Sequence, residues 1–587
     1  MRGFTITRVR DFMPTTDLTG YPRGKRLHVT LRARLNVATT AFARFAGAAH
    51  LESRATSAGI WVLLASVALV VVSMLLGMGA AMDSRRLLWA FDYDENFVVG
   101  MVLRSLNRGD LKPLSDLNPR NYFFDYGMVY QGIAYHVVRF YERLGYARTV
   151  YLVAYVLRFV SLLSWCVVGA VLYRVSRRLG IANLPALTTT IVAVGGTSFA
   201  AAGAIVHPDV LQAALIALSL ACLLGNYSLL RVLASSALAG LAFGVKYGGV
   251  FVLPALAAFI LMGELTRRGS AAVRAARLAA TSVAALVTFV GVWLWSNPFV
   301  FRRPAIFRDA LKWREHHVEY GHLSRETGGV KQWLTFLASD FTWLGVVVIA
   351  LGIGAAFGYV IAKLVARGSS RHPARAVFES PRRRFLVVLC VFCVTTTYFL
   401  FTRVHMQRFR YAFIGLPEWI VLGGFGLHRV ERWLRPRSVR VAAQLGFAVL
   451  AVALSARSVV DLRGGPNRYV DGRLTLGEWL DEHYASGTVM EADLKTYIPP
   501  RFKVIANEIL SSADVRMRPD VIVLSRQGTG RYCWKRDGTD FAQGDFECSD
   551  LDHAGKMRKM YDWLAHHGDY TVAREDGGTV VLERKPE

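Results

Sequence analysis

The chain has 587 residues, 53% of them hydrophobic, and 70 Lys+Arg against 43 Asp+Glu leave a net charge of +27. Apolar runs near the width of a bilayer recur along it, which excludes a string of soluble domains and makes most of the chain one membrane domain. The basic excess sits in connections between those runs, not in a soluble domain with aromatic platforms. It therefore points to positive-inside topology and contact with membrane lipids, and excludes nucleic acid as a partner.

Residues 1–57 carry Arg23, Lys25, Arg26, Arg32 and Arg34 and read as a basic cytosolic tail. "LNVATTAFARFAGAAH" either lies on the membrane as a surface helix or belongs to a partly disordered tail. The first strong apolar run begins near Gly59, too deep and too long for a secretory h-region. From there to residue 460, apolar length and flanking charge predict about eleven membrane segments. They cover about 59–81, 149–173, 185–205, 210–227, 232–245, 249–264, 278–296, 337–363, 385–402, 411–428 and 441–459. The long connection after the first segment contains "DYDENF", then "ENFVVGMVLRSLN" and "MVYQGIAYHVVRFYERLG", which read as amphipathic helices on the membrane surface. The run 232–264 is too long for one crossing. Its Gly-rich middle, "GVKYGG", predicts two shorter helices that meet at the outer face.

Charge tests the count. With the N-terminus inside, the inner connections hold Arg174, Arg177 and Arg178, then Arg231, then Arg267, Arg268, Arg274 and Arg277. Later ones hold Lys363, Arg367, Arg371, Arg375 and Arg382–Arg384, and finally Arg429, Arg432, Arg435, Arg437 and Arg440. An odd number of segments leaves the C-terminal part, 461–587, outside. There "LTLGEWLDEHYA" and "KMRKMYDWLAHHG" read as helices, "DVIVLS" as a buried strand and "YTVAREDGGTVVLER" as a hairpin. The expected architecture is a mainly α, polytopic membrane helix bundle with a small C-terminal α/β extracytoplasmic domain. Cys166, Cys222, Cys390 and Cys393 fall in apolar runs and read as core residues, the CxxC of the last two included. Cys533 and Cys548, in an oxidising compartment, would suit a disulfide.

The same count gathers several polar motifs on the outer side. Asp92 and Asp94 alternate, so in an extended loop both point the same way, and Glu95 opens the next helix. Such acids either cap that helix and solvate the loop, or supply a general base, since close carboxylates raise each other's pKa. His207-Pro208-Asp209 sits where one segment ends and the next begins, as a helix cap or as part of a site. Lys246 lies among Gly244, Gly248 and Gly249, and either snorkels to headgroups or binds phosphate. "RVHMQRFRY" brings Arg403, His405, Arg408 and Arg410 to the outer side, against the charge bias, which suits phosphate or pyrophosphate binding. His316, His317 and His322 match no strong zinc spacing.

The order of these pieces resembles the GT-C superfamily of integral-membrane glycosyltransferases, nearest to protein O-mannosyltransferases and bacterial lipid A aminoarabinose transferases. The matching stretches are "DYDENF", "HPDVLQAALIALSLACL", "GLAFGVKYGGVFVLPAL", "SNPFVF", "RFRYAFIGLPEWIVLGGFGL" and "LTLGEWLDEHYASGTVMEADLKTYIPP". "NYFFDYGMVYQG" departs from the aromatic-proline pattern common at that point. The resemblance implies an inverting transferase in the inner cell membrane. It would move a sugar from a polyprenyl-phosphate donor to a cell-envelope lipid, polysaccharide or protein. By position it implies Asp94 as the catalytic acid residue of the first outer loop, with Asp92 or Glu95 assisting. Lys246 and Arg408 would meet the donor phosphate together with Arg410, and His207, Asp209 and Tyr247 would line the pocket. It implies no certain cofactor and leaves a divalent metal open. A lipid-linked-substrate transporter would instead show internal repeats and ionisable residues at the midplane. A non-catalytic envelope scaffold would bind sugar without turnover.

Overall fold

The computed structural model describes residues 54–586, except 79–92, 112–126, 313–329, 366–377, 405–408, most of 507–568 and a few shorter stretches. The basic tail and "KMRKMYDWLAHHG" lie outside the described residues. Each of the eleven expected segments corresponds to helix. These are α1 (Arg54–Gly77), α4 (Val150–Arg178), the pair α5 (Asn183–Gly195) and α6 (Thr197–Ala204), α7 (Pro208–Cys222) and α8 (Leu229–Val245). Then come α9 (Val252–Thr266), α10 (Ala271–Ser296), α11 (Val330–Val365), α12 (Pro381–Arg403), α13 (Leu416–Glu431) and α14 (Arg437–His483). The two amphipathic stretches form α2 (Tyr93–Arg108) and α3 (Met128–Arg143). Among the described residues seven helices are long and apolar enough to span a bilayer by themselves, and the α5–α6 pair qualifies jointly. The chain is thus a multi-pass membrane protein.

The difference from the expected count lies in α7, α8 and α13, of 15, 17 and 16 residues. They are too short to cross without tilt or extension, and α7 and α13 are buried along most of their length. By contrast α10 and α11 leave Val287, Trp295, Leu344 and Leu351 exposed, as helices that face lipid do. Small residues let backbones touch: a Cβ on Gly426 of α13 would overlap the Gly352 carbonyl of α11. Side-chain caps open α4, α8 and α10, where Thr149, Ser228 and Ser270 accept from the N–H three residues on.

A broken helix inside a membrane bundle needs outside partners for its freed backbone groups. The break at Gly195-Gly196 bends α5 against α6 by 65°. Ser458 Oγ of α14 donates to the Gly195 carbonyl at 2.6 Å, and Trp165 Nε1 of α4 donates to the Val194 carbonyl at 2.9 Å. On the other side, Ser198 N and Oγ both donate to Asp340 Oδ1 of α11 at 3.0 Å. Three distant helices therefore hold one kink, and α6 leads straight to His207.

The basic helix ends gather at one end of the bundle. A Cβ on Gly180, just past α4, would meet Arg382 Nη1 of α12 at 2.6 Å, and Arg384 Cζ lies 5.7 Å from the Phe259 ring of α9. The His207, Lys246 and Arg410 motifs lie at the other end.

α14 runs unbroken through the expected boundary at residue 461. Its first half packs Ala448 and Ala451 against Ile60 and Leu63 of α1, and its last turns put Leu476 and Leu480 on the sheet. The sheet has the order β2-β1-β3-β7-β6, from Val489–Ala492 (β1), Lys503–Ala506 (β2), Val521–Ser525 (β3), Tyr570–Asp576 (β6) and Thr579–Arg584 (β7). β1 pairs parallel with β2 and β3, and β7 pairs antiparallel with β3 and β6. The expected "DVIVLS" strand and the Gly-Gly hairpin are both present. A separate two-stranded ladder joins Cys533–Lys535 (β4) to Phe546–Cys548 (β5), with Cys533 directly opposite Cys548. Cα atoms facing each other across an antiparallel ladder are about 4.5–5.5 Å apart, inside the range a disulfide spans. Denaturing alkylation of protein purified without reductant is expected to label four of the six cysteines, and six labels would remove the bridge.

Candidate active site

His207 leaves α6 in extended conformation, Pro208 fills the first position of α7, and Asp209 stands in its first turn. Lys246 is the extended residue between α8 and a 3-10 turn, Tyr247–Phe251. α7 and α8 run antiparallel, which brings the start of one beside the end of the other. Gln212 of α7 ties them by donating to the carbonyls of Lys246 and Ala242, where α8 stops. The glycines of "GVKYGG" serve close approach. A Cβ on Gly248 would meet Gln212 Oε1 at 2.9 Å, and one on Gly127 would overlap the Gly244 carbonyl. Asn297, from "SNPF", locks the same corner by accepting from Met128 N at 2.9 Å and donating to the Gly244 carbonyl at 3.4 Å.

The core of the site is a buried charge pair. Lys246 Nζ lies 2.5 Å from Asp209 Oδ1, with the two side chains 6% and 2% exposed. His207 Nδ1 lies 3.1 Å from Asp209 Oδ2, off hydrogen-bond geometry. A second 3-10 turn, Phe409–Ile414, brings Tyr411 beneath the ammonium, with the ring centroid 5.2 Å from Nζ. Arg410 Cζ is 5.8 Å from the same centroid, and its charge acts on Asp209. Of the sequence-predicted residues, His207, Asp209, Lys246 and Arg410 are therefore together. Tyr247 is beside them, its ring 5.4 Å from Phe243 and 6.5 Å from Phe307. Trp293 completes an aromatic wall, 5.0 Å from Phe243 and 5.7 Å from Phe307.

The acids of the first outer loop divide. Asp92 and Arg408 lie outside the described residues, as do the three loop histidines. Asp94 is the second residue of α2, and only its backbone position is described. Glu95 is fully buried. Its two oxygens meet Arg158 of α4 in a fork, Nε to Oε1 at 3.0 Å and Nη2 to Oε2 at 2.6 Å. Val206 N donates to Oε1 at 2.5 Å, and Arg158 Nη1 donates to the Met78 carbonyl at 3.0 Å. Glu95, expected as an assisting base, thus has both carboxylate oxygens engaged by a guanidinium or a backbone N–H, with no exposed surface. What it does is tie the start of α2 to the residue before His207. Ser161 extends the tie by accepting from His207 N at 3.1 Å and sharing a 2.8 Å hydrogen bond with Tyr130. Burial pushes the Tyr130 hydroxyl pKa up, so it stays protonated and donates to the Leu157 carbonyl at 2.9 Å.

Sequence reading missed Arg158, Gln212, Tyr411 and the aromatic wall. Arg158 carried a usable signal, a lone charge in the apolar run "YVLRFVSLL". No group of three His, Cys, Asp or Glu side chains suited to a metal converges among the described residues.

No family model matches the chain, and no curated protein sequence matches it. Solved structures do. The crystal structure of ArnT from Cupriavidus metallidurans bound to undecaprenyl phosphate superposes with a TM-score of 0.51 at 15% identity, covering 90% of this chain and 99% of ArnT. The apo structure of the same protein gives 0.50 at 15% identity, covering 90% and 100%. The likeness runs over nearly all of both chains, so the expected polytopic helix bundle with a small C-terminal sheet is the fold that this protein shares with ArnT.

Proposed function

We propose that this multi-pass membrane protein, with the fold of ArnT, is an inverting glycosyltransferase that uses a polyprenyl-phosphate sugar on the outer face of the membrane. The observation that carries the reading is the cluster of Asp209, Lys246, His207 and Arg410, tied through Val206 and Glu95 to the helix that bears Asp94. The undecaprenyl phosphate bound by ArnT supports a donor lipid of that kind. The N-terminus would be cytosolic and the sheet domain extracytoplasmic, which agrees with the gathering of basic helix ends away from the site.

In this reading Asp94, with Asp92 near it, takes the proton of an acceptor hydroxyl. The freed oxygen attacks the anomeric carbon from the face opposite the phosphate. The carbon–oxygen bond to phosphate breaks, and polyprenyl phosphate leaves with the bonding pair. A phosphate acceptor is already ionised and needs positioning only. Lys246, Arg408 and Arg410 hold the leaving group, where charge builds in the transition state. Asp209 aims Lys246, and His207 and Tyr247 shape the pocket. The aromatic wall gives the first isoprene units an apolar surface. Acceptor class and sugar follow from neither the fold nor the cluster.

The test is purified protein in lipid with a radiolabelled polyprenyl-phosphate sugar, guided by mass spectrometry of envelope glycans after deletion of the gene. Release of polyprenyl phosphate coupled to a new glycosidic bond is the expected result. Movement of the intact lipid across the bilayer without transfer would replace the reading with a flippase. Lys246→Gln is expected to raise the KM for donor at least about tenfold, the effect of one lost charge-assisted contact. The KM for acceptor should change little, and equal changes in both would mark Lys246 as structural.

A further inference from the structure

At the basic end of the bundle, far along the helices from the site, cations outnumber acids. Arg382 in the first turn of α12 and Arg429 in the last turn of α13 both lie over the Phe425 ring, their Cζ atoms 5.7 and 5.3 Å from its centroid. Arg429 also lies 4.7 Å over Tyr359 of α11, and Lys363 Nζ is 5.8 Å from that same ring. The two rings meet edge-on at 5.6 Å. Three cations thus share a two-ring platform. Arg429 and Arg432 act on Arg382 as like charges. Arg382 Nε and Nη2 and Arg429 Nε are buried and have no hydrogen-bond partner among the described residues.

Local structure sharpens the imbalance. Three arginines, Arg382–Arg384, stand at the positive end of a helix, where cations are unfavourable, and Ser380 makes no side-chain cap there. From 363 to 384 the chain holds Lys363, Arg367, Arg371, Arg375 and Arg382–Arg384 against the single acid Glu379. Glu431, the last residue of α13, is engaged by His428 and Gln444. Buried donors left without acceptors are costly, and an anion would both accept from them and offset the crowded positive charge. Ile361, Val365 and Trp433 are exposed around the cluster, and a Trp beside basic residues marks the membrane–water interface.

We propose that Arg382, Arg429 and Lys363 bind the phosphodiester of an anionic phospholipid from the leaflet at the basic end. Its acyl chains lie along the exposed apolar side chains of α11 and α13. A free phosphate would meet the same guanidinium groups but leave that apolar surface uncovered.

The test titrates dioleoylphosphatidylglycerol onto the full chain in neutral detergent, read by native mass spectrometry. The R382Q/R429Q variant is expected to hold the lipid about thirtyfold more weakly, as for two basic groups lost at an anionic surface. R382K/R429K, which keeps the charge, should retain most of the binding, and dioleoylphosphatidylcholine should bind both forms equally. If the double Gln variant fails to fold, Arg382→Gln alone should show about a fivefold loss. Equal retention of phosphatidylglycerol by the Gln variants and the unaltered chain would overturn the site. Displacement of the lipid by millimolar inorganic phosphate would overturn the lipid assignment.

Discussion

Asp94→Asn is expected to abolish sugar transfer while the protein folds and inserts normally. A general base contributes about a hundredfold to ten-thousandfold, so activity should fall at least into that range, with kcat bearing the loss. Stability should change little. Asp94 is in the first turn of α2, where losing a negative charge costs about 0.3–1 kcal/mol. The two effects separate because Glu95 makes buried contacts that hold this helix end. The measurement is turnover of a polyprenyl-phosphate sugar beside a thermal melt of the same sample. A folded Asp94→Asn protein with unaltered kcat would remove Asp94 from the chemistry and leave the fold assignment intact.

Arg158→Met is expected to have the larger effect on stability. It leaves Glu95 fully buried and short of its two guanidinium donors, and breaking a buried ion pair costs about 3–5 kcal/mol. The Met78 carbonyl also loses its donor. The consequence should reach the site, because the Val206 N–H that Glu95 accepts lies next to His207. The Glu95→Gln/Arg158→Met pair tests this explanation. A glutamine can still accept from Val206 and brings no charge, so the double variant should melt higher than Arg158→Met alone. Additive effects of the two single changes, to within about 0.5 kcal/mol, would mean that the ion pair is not the source of the loss.

Much of the fold was legible because of how a bilayer treats a backbone. With no water to serve N–H and C=O groups, each crossing must satisfy itself as a helix, and an apolar run of the right length is sufficient notice of one. The same rule located the division at "GVKYGG", where glycine interrupts an apolar run, and the basic connections that gather at one end. In the candidate site, Lys246, Asp209 and His207 were legible as polar residues at the ends of apolar segments.

The sequence by itself determined which stretches are helices and which polar residues stand at their ends, since both depend on neighbours along the chain. Only the tertiary structure decided the partners at the breaks. Ser458 and Asp340 hold the kink of α5 and α6, Gln212 closes the end of α8, and Arg158 pairs with Glu95. No local pattern announces such pairs, because a buried polar group accepts whichever partner the packing brings. For Glu95 that partner comes from 63 residues away.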